Sequence, residues 1–252
     1  MKLKKIDLYT NDYSIINILK KSYKLDKIYT ENKLLLKLIK NRSNITLINS
    51  KSKILKKIKT NCEFAITYGF GIIFKNFLIK KYKNGIWNIH PGYLPKYRGR
   101  HPITAAFLNN DYKIGITIHK INEKIDRGHL LSKSFVKRNY ADDENSIKKK
   151  ILKKILKLLQ IAENNLKNKK ILVIKKGTYY KPFYDGIKIV NSLKFTATYI
   201  FNVAKAQKSY GGFYVNNKKY FDAIHFSKKK INLLTDVIKC KNNKKLLLIK
   251  KK

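Results

Sequence analysis

The sequence predicts an α/β chain, with a mostly parallel sheet covered by helices on both faces over residues 1–170 and a small β-rich appendage over 171–252. Three observations predict it. Short apolar runs alternate with helical apolar patterns as far as His90, the signature of strands joined by helical crossovers. A long stretch, Asp142–Lys169, carries an apolar stripe at helical spacing. Beyond Lys170 the pattern shifts to short strand candidates behind the paired glycines Gly211 and Gly212.

Lys5–Tyr9 reads as the first strand, and Asp12–Lys24 as a helix with Ile15, Ile16, Ile18 and Leu19 inward. Lys27–Tyr29 is a short strand and Asn32–Ile39 a helix. Ile45–Ile48 is a strand, followed by a lysine-rich helix over 50–59. Glu63–Thr67 is a strand, Ile72–Lys81 a helix, and Ile86–His90 a strand. In such sheets ligands bind beyond the C-terminal ends of the strands, which directs attention to the segments just beyond Thr67 and Asn88. A loop from His90 to Arg100 contains Pro91, Gly92, Pro95 and Gly99. Pro102 suits the first position of a helix to about Leu108. Lys113–Ile121 alternates as a strand with Ile114, Ile116, Ile118 and Lys120 on one face. A tight turn over 122–128 leads into strand Leu130–Val136. Asp142–Lys169 is the longest helix, with Ile147, Ile151, Leu152, Ile155, Leu158, Leu159, Ala162 and Leu166 on its apolar stripe. Asp142, Asp143 and Glu144 stand at its N-terminus, where the helix dipole favours carboxylates. A short helix over Thr196–Gln207 precedes strand candidates Phe213–Val215, Tyr220–Phe226, Ile231–Ile238 and Leu246–Ile249.

Composition sets the limits. The chain has 252 residues and 44% hydrophobic content, enough for a buried core and too much for the disordered class. Lysine and arginine number 58 against 15 aspartates and glutamates, a net charge of +43. Such a surface attracts polyanions in a salt-dependent way. The excess is nearly all lysine, in a chain also rich in isoleucine, asparagine and tyrosine, so AT-rich codon usage accounts for it equally. Two cysteines, Cys62 and Cys240, cannot form a disulfide framework, and Cys62 reads as a core thiol. No apolar run is long enough for a membrane span, and the N-terminus has no apolar secretory region. The expected compartment is the cytoplasm, with no membrane association.

The chemistry concentrates at Asn88 and His90. They lie two apart at a strand end, so both side chains face one space. Acyl transfer to an amine needs a donor for the developing oxyanion, a base for the amine proton and a carboxylate to orient the imidazole. Asn88, His90 and Asp126 offer those three types. Gly128 permits a tight turn that would expose Asp126. Spacing alone does not bring Asp126 to His90. An asparagine that caps a turn and a structural histidine remain the plain alternatives.

The string Asn88-Ile89-His90-Pro91-Gly92-Tyr93-Leu94-Pro95 resembles the signature of the folate-dependent formyltransferases. These comprise the glycinamide ribonucleotide, methionyl-tRNA and amino-sugar enzymes. Gly92 and Tyr93 replace the serine and leucine usual there. A second block, Gly115-Ile116-Thr117-Ile118-His119 and then Asp126-Arg127-Gly128, is similar to the family's G-x-T-x-H and D-x-G elements. Tyr180-Lys181-Pro182 and Gly211-Gly212-Phe213 resemble the linker and start of a C-terminal domain. The resemblance implies a Rossmann-like catalytic domain over 1–170 and a truncated C-terminal domain over 171–252. It implies 10-formyltetrahydrofolate as co-substrate and Asn88, His90 and Asp126 as the catalytic trio. The pterin would be held by loops containing Tyr68, Gly69, Gly71, Ile72 and Ile73, and Ile121, Asn122 and Ile125. No metal is implied, and His101, His119, His129 and His225 read as structural.

The resemblance implies a primary-amine acceptor, on a nucleotide-linked sugar or on initiator Met-tRNA, with glycinamide ribonucleotide disfavoured by the C-terminal appendage. Tyr93, Arg98 and Arg100 are its candidate contacts, because arginine suits bidentate phosphate recognition. The string Tyr97-Arg98-Gly99-Arg100-x-Pro102 is closer to the nucleotide-sugar enzymes. So are the lack of a basic loop after the second strand and the short C-terminal region. The charge of +43 suits tRNA. A catalytically idle RNA-binding relative and a formyltetrahydrofolate hydrolase are more remote readings. Oligomeric state is open.

Overall fold

The computed structural model describes residues 3–39, 44–49, 51, 53–183, 186–227 and 230–251. The chain falls into two compact units. The first comprises Met1–Arg98, Gly115–Phe135 and Ile151–Thr178, and the second Gly99–Ile114, Val136–Lys150 and Tyr179–Lys252.

The first unit is built on strands β1 (Lys4–Thr10), β2 (Tyr23–Thr30), β3 (Ile45–Leu47), β4 (Ala65–Tyr68) and β5 (Ile86–His90). Between them run helices α1 (Tyr13–Leu19), α2 (Lys33–Leu38), α3 (Ile54–Lys57) and α4 (Asn76–Ile79). After the two-residue β6 (Arg98–Gly99) and helix α5 (Pro102–Leu108) come β7 (Lys113–Lys120), β8 (His129–Lys137), α6 (Glu144–Leu152), α7 (Ile155–Lys167) and β9 (Leu172–Val173). The sheet order is β3-β2-β1-β4-β5-β7-β8-β9. The first five strands are parallel, and β7 is antiparallel to β5. The strand order reverses between β1 and β4, which is where such sheets open a ligand crevice. There Thr10 Oγ1 donates to the Tyr68 carbonyl at 2.8 Å.

A polar knot holds the centre of this sheet. Asp7 is fully buried and accepts from Tyr82 Oη at 2.8 Å, from the Lys27 amide at 3.2 Å and from Cys62 Sγ at 3.6 Å. Burial pushes the Cys62 thiol up to about 11, so it stays protonated as a donor. Around it pack Tyr9, Tyr29, Leu55, Ile72, Phe74 and Leu78.

Several boundaries differ from the sequence reading for definable reasons. The helix expected over Asp12–Lys24 stops at Leu19, because Tyr23 onward pairs in parallel with β1. The helix expected over Ile72–Lys81 shrinks to Asn76–Ile79. Ile72 and Phe74 are buried while Ile73 is 64% exposed, an alternation that belongs to extended chain. Of the helix expected over 50–59, Ile54–Lys57 is helical, while Ser50 and Ser52 lie outside the described residues. The long helix is broken at Lys153 and Lys154, yet Ile147, Ile151, Ile155, Leu158, Leu159 and Ala162 all remain buried. The strand from Lys113 is buried on both faces, since Thr117 and His119 are as enclosed as Ile116 and Ile118.

The second unit has its own core. Helix α8 (Ala197–Gln207), capped by the Thr196 hydroxyl, contributes Ile200, Val203 and Ala204. They pack with Phe213, Val215, Ala223, Leu246 and Leu248. Short strands β10 (Tyr179–Tyr180) and β11 (Lys188–Ile189) precede α8. After it, β12 (Phe213–Val215), β13 (Lys218–Tyr220), β14 (Asp222–His225), β15 (Thr235–Lys239) and β16 (Lys245–Ile249) form two small three-stranded sheets, the first including β11. The strand expected over Tyr220–Phe226 is thus divided between β13 and β14. Gly212 is required there, because a Cβ would lie 2.2 Å from the Tyr220 carbonyl oxygen.

Candidate active site

The C-terminal end of β5 carries Asn88 and His90. Antiparallel pairing with β7 places Asn88 opposite His119 and His90 opposite Thr117. Three residues of the 115–119 block then have a physical task. Gly115 admits the backbone of Tyr93, since a Cβ would lie 2.5 Å from the Tyr93 amide nitrogen. Thr117 Oγ1 donates to the Gly92 carbonyl at 2.7 Å and accepts from the Leu94 amide at 3.1 Å, which fixes the loop after His90. His119 enters the site itself.

The turn after β7 brings the carboxylate back. Asp126 takes the left-handed region with φ 52°, a conformation that aspartate tolerates better than most residues. Gly128 serves in a way the sequence did not suggest. Its absent Cβ would lie 1.7 Å from the Lys120 carbonyl oxygen, so it permits a close strand approach while Asp126 makes the left-handed bend. Asp126 Oδ1 reaches 3.7 Å from His90 Nδ1 and 3.6 Å from His119 Nε2. Asn88 Nδ2 lies 3.2 Å from His119 Nε2. The proposed trio therefore meets in space, together with a histidine that sequence reasoning set aside as structural. The period-two alternation along β7 was the available signal for His119, because it shares a face with Thr117 and Gly115.

His90 is 3% exposed. Its Nε2 donates to the Tyr97 carbonyl at 2.6 Å, which leaves Nδ1 as the lone-pair nitrogen facing Asp126. Burial holds the His90 imidazole below the ordinary value of 6.5, outweighing the upward pull of Asp126. His119 adds to the lowering, and the Tyr97 carbonyl opposes it. The resting ring is a neutral base beside a carboxylate that stabilises its cation.

The loops expected to hold the pterin follow β4 and β7. Tyr68 is buried at the end of β4, Gly69 has φ 57°, and the Gly71 amide donates to Glu31 at 2.8 Å. Ile72 belongs to the buried core cluster against which Ile121 packs. The Ile121 amide bonds the Ile86 carbonyl at 2.9 Å. Asn122 Oδ1 accepts from the Lys124 amide at 3.0 Å, shaping the turn. Ile73 and Ile125 are exposed. Tyr93, an expected acceptor contact, is 39% exposed, with Lys133 over its ring at 4.4 Å.

Arg98 departs from expectation. It is buried, and its Nε and Nη2 donate to the Ile125 carbonyl at 3.1 and 2.8 Å, its Nη1 to the Gly177 carbonyl at 3.3 Å. Arg98 clamps the turn that bears Asp126 rather than presenting its charge to an acceptor. Arg100, in the second unit, is exposed. One group of potential metal ligands exists among the described residues, Asp7, Asp26 and Cys62. Cys62 donates to Asp7 and Asp26 pairs with Lys5 at 2.8 Å, so each already has a protein partner.

A doubly wound α/β domain with a polar trio at its strand ends has the layout of an α/β domain that binds a ligand there. Comparison narrows this. Residues 31–161 match the formyl transferase family, and the chain belongs to that family. A methionyl-tRNA formyltransferase of Finegoldia magna is 29% identical over 160 residues, 64% of this chain and 46% of the relative. One of Borrelia duttonii is 42% identical over 72 residues, 29% and 23% of the two chains. The chain thus matches less than half the length of these curated relatives. A solved N-formyltransferase of Helicobacter canadensis, in complex with folinic acid and dTDP-3-aminofucose, has the same fold with a TM-score of 0.67. It is 20% identical, with 99% of this chain and 100% of that chain covered.

Removing the charge beside His90 tests the electrostatics. Asp126→Asn should move the His90 pKa further down, since the carboxylate is the main influence raising it. An imidazole titration by NMR that shows no change, or a rise, contradicts the geometry.

Proposed function

We propose that this chain transfers the formyl group of 10-formyltetrahydrofolate to a primary amine. The observation that carries the reading is the convergence of Asn88, a neutral buried His90 and Asp126 at the end of β5. In this reading residues 1–170 form the catalytic domain and 171–252 a C-terminal domain.

The amine attacks the formyl carbon, and its oxygen gains negative charge. Asn88 donates to that oxygen. His90 Nδ1 takes the proton from the attacking amine, and Asp126 stabilises the imidazolium that results. Collapse of the tetrahedral species breaks the bond to the folate nitrogen, and His90 returns the proton to that nitrogen. The folate ring would lie against the loops Tyr68–Ile73 and 121–125. The chemistry needs no metal.

For the acceptor we favour a nucleotide-linked amino sugar. Its support is correspondence along nearly the whole chain with the Helicobacter canadensis enzyme, including the second unit. Tyr93 and Arg100 are the remaining acceptor contacts we propose. A second reading, initiator Met-tRNA, draws on the 42% identity with the Borrelia duttonii relative and on the charge of +43.

Formyl transfer assayed in parallel with Met-tRNA and nucleotide-linked amino sugars, at near-physiological salt, decides between them. Formyl-Met-tRNA as the product would overturn the sugar reading, and no transfer to either would overturn the function. Asn88→Ala should cut turnover about 10²–10³-fold, the usual cost of one oxyanion donor; a near-normal rate removes that role. Because burial lowers the His90 pKa, the base is neutral above it. The acid limb of kcat/KM should therefore lie below 6.5. A profile flat on the acid side speaks against His90 as base.

A further inference from the structure

We infer that His119 is a positioning residue that sets the orientation of the Asn88 amide, turning its NH2 group toward the reacting oxygen. The inference rests on Asn88 acting as the oxyanion donor.

The hydrogen-bond choices around His119 are few. It is 1% exposed, and its Nε2 lies 3.2 Å from one end of the Asn88 amide and 3.6 Å from Asp126 Oδ1. Its Nδ1 is buried and has no hydrogen-bond partner among the described residues. Consider first Asn88 as donor to His119 Nε2. A neutral imidazole would then carry its proton on Nδ1, where a buried N–H finds no acceptor, a costly arrangement. The Nε2 lone pair would also face the Asp126 carboxylate. The amide oxygen, turned away from His119, would offer an acceptor where the reaction needs a donor.

Now turn the amide by half a revolution, which exchanges its oxygen and nitrogen ends with the heavy-atom positions kept. His119 Nε2–H donates to Asn88 Oδ1 and points its positive edge at Asp126. The Nδ1 atom becomes a lone pair, which is cheaper to leave alone than a donor. Both amide protons of Asn88 are released toward the substrate side. All three difficulties disappear at once. The cross-strand register Asn88–His119 makes the arrangement rigid, because each residue is held by the ladder between β5 and β7.

His119 touches neither donor nor acceptor in this scheme, so at pH values above the acid limb its effect passes through Asn88, while its influence on the His90 pKa shows in the position of that limb. The test is a double-mutant cycle with formyl-transfer kinetics. His119→Leu should lower kcat by about tenfold or more, with little change in the KM of the folate, and by less than Asn88→Ala. His119→Gln, which keeps an N–H near the Nε2 position, should recover most of the loss. Combined with Asn88→Ala, His119→Leu should cost almost nothing more. An equal loss in both backgrounds, or no loss from His119→Leu alone, overturns the inference while leaving the function intact. An Asn88→Ala enzyme with normal turnover overturns the oxyanion role and this inference together. The unmodified protein gives an independent reading, since long-range ¹H–¹⁵N correlation spectra distinguish the two tautomers. A proton on His119 Nε2 alone is expected, and a proton on Nδ1 overturns the inference whatever the variants do.

Discussion

The antiparallel register between β5 and β7 is the constraint on which the site depends. Pairing Asn88 with His119 and His90 with Thr117 fixes four side chains at once. A slip of one residue would send every side chain on β7 to the opposite face. The Gly92 and Leu94 backbone would lose Thr117, and Asn88 would lose His119. The turn after β7 must also return Asp126 to the same place. That is why a left-handed Asp126, a glycine at 128 and the Arg98 clamp on the Ile125 carbonyl occur together.

Enclosure gives these groups their chemical character. A surface histidine beside a carboxylate would gain a proton more readily. Here burial outweighs the carboxylate and holds the His90 ring neutral. The carboxylate then contributes most when the ring becomes charged. The same enclosure makes hydrogen-bond direction consequential, because a buried donor such as one on His119 is costly to leave unpaired. The polar knot around Asp7 obeys the opposite rule. Its donors already occupy the carboxylate, so it stabilises the sheet and leaves nothing for a ligand.

The charge of the chain and its fold bear on the acceptor from different sides. A lysine excess acts over the whole surface and falls away with salt. Recognition of one small group requires fixed contacts rather than a diffuse field. Arg98 has spent its guanidinium on main-chain carbonyls, so the basic side chains left near the loop after β5 are fewer than the string from Tyr97 to Pro102 suggests. Net charge by itself therefore does not select an acceptor.

The sequence by itself determined the alternating α/β order, the helix at Pro102, the strand ending in Asn88 and His90, and the formyl transferase motifs. Each of these is written in local periodicity or in fixed spacing, which needs no knowledge of distant residues. The residues of the 115–119 block were visible, but their separate tasks were not. Tertiary structure alone decided that Asp126 reaches His90, that His119 stands against Asn88, and that Arg98 is a clamp. It also ended α1 early and kept 70–75 extended, because strand pairing and burial of Ile72 and Phe74 outweighed helical periodicity. The physical reason is the same in each case: these outcomes depend on which segments lie across from one another in the sheet. Register is a property of two strands together, which neither strand's own sequence specifies.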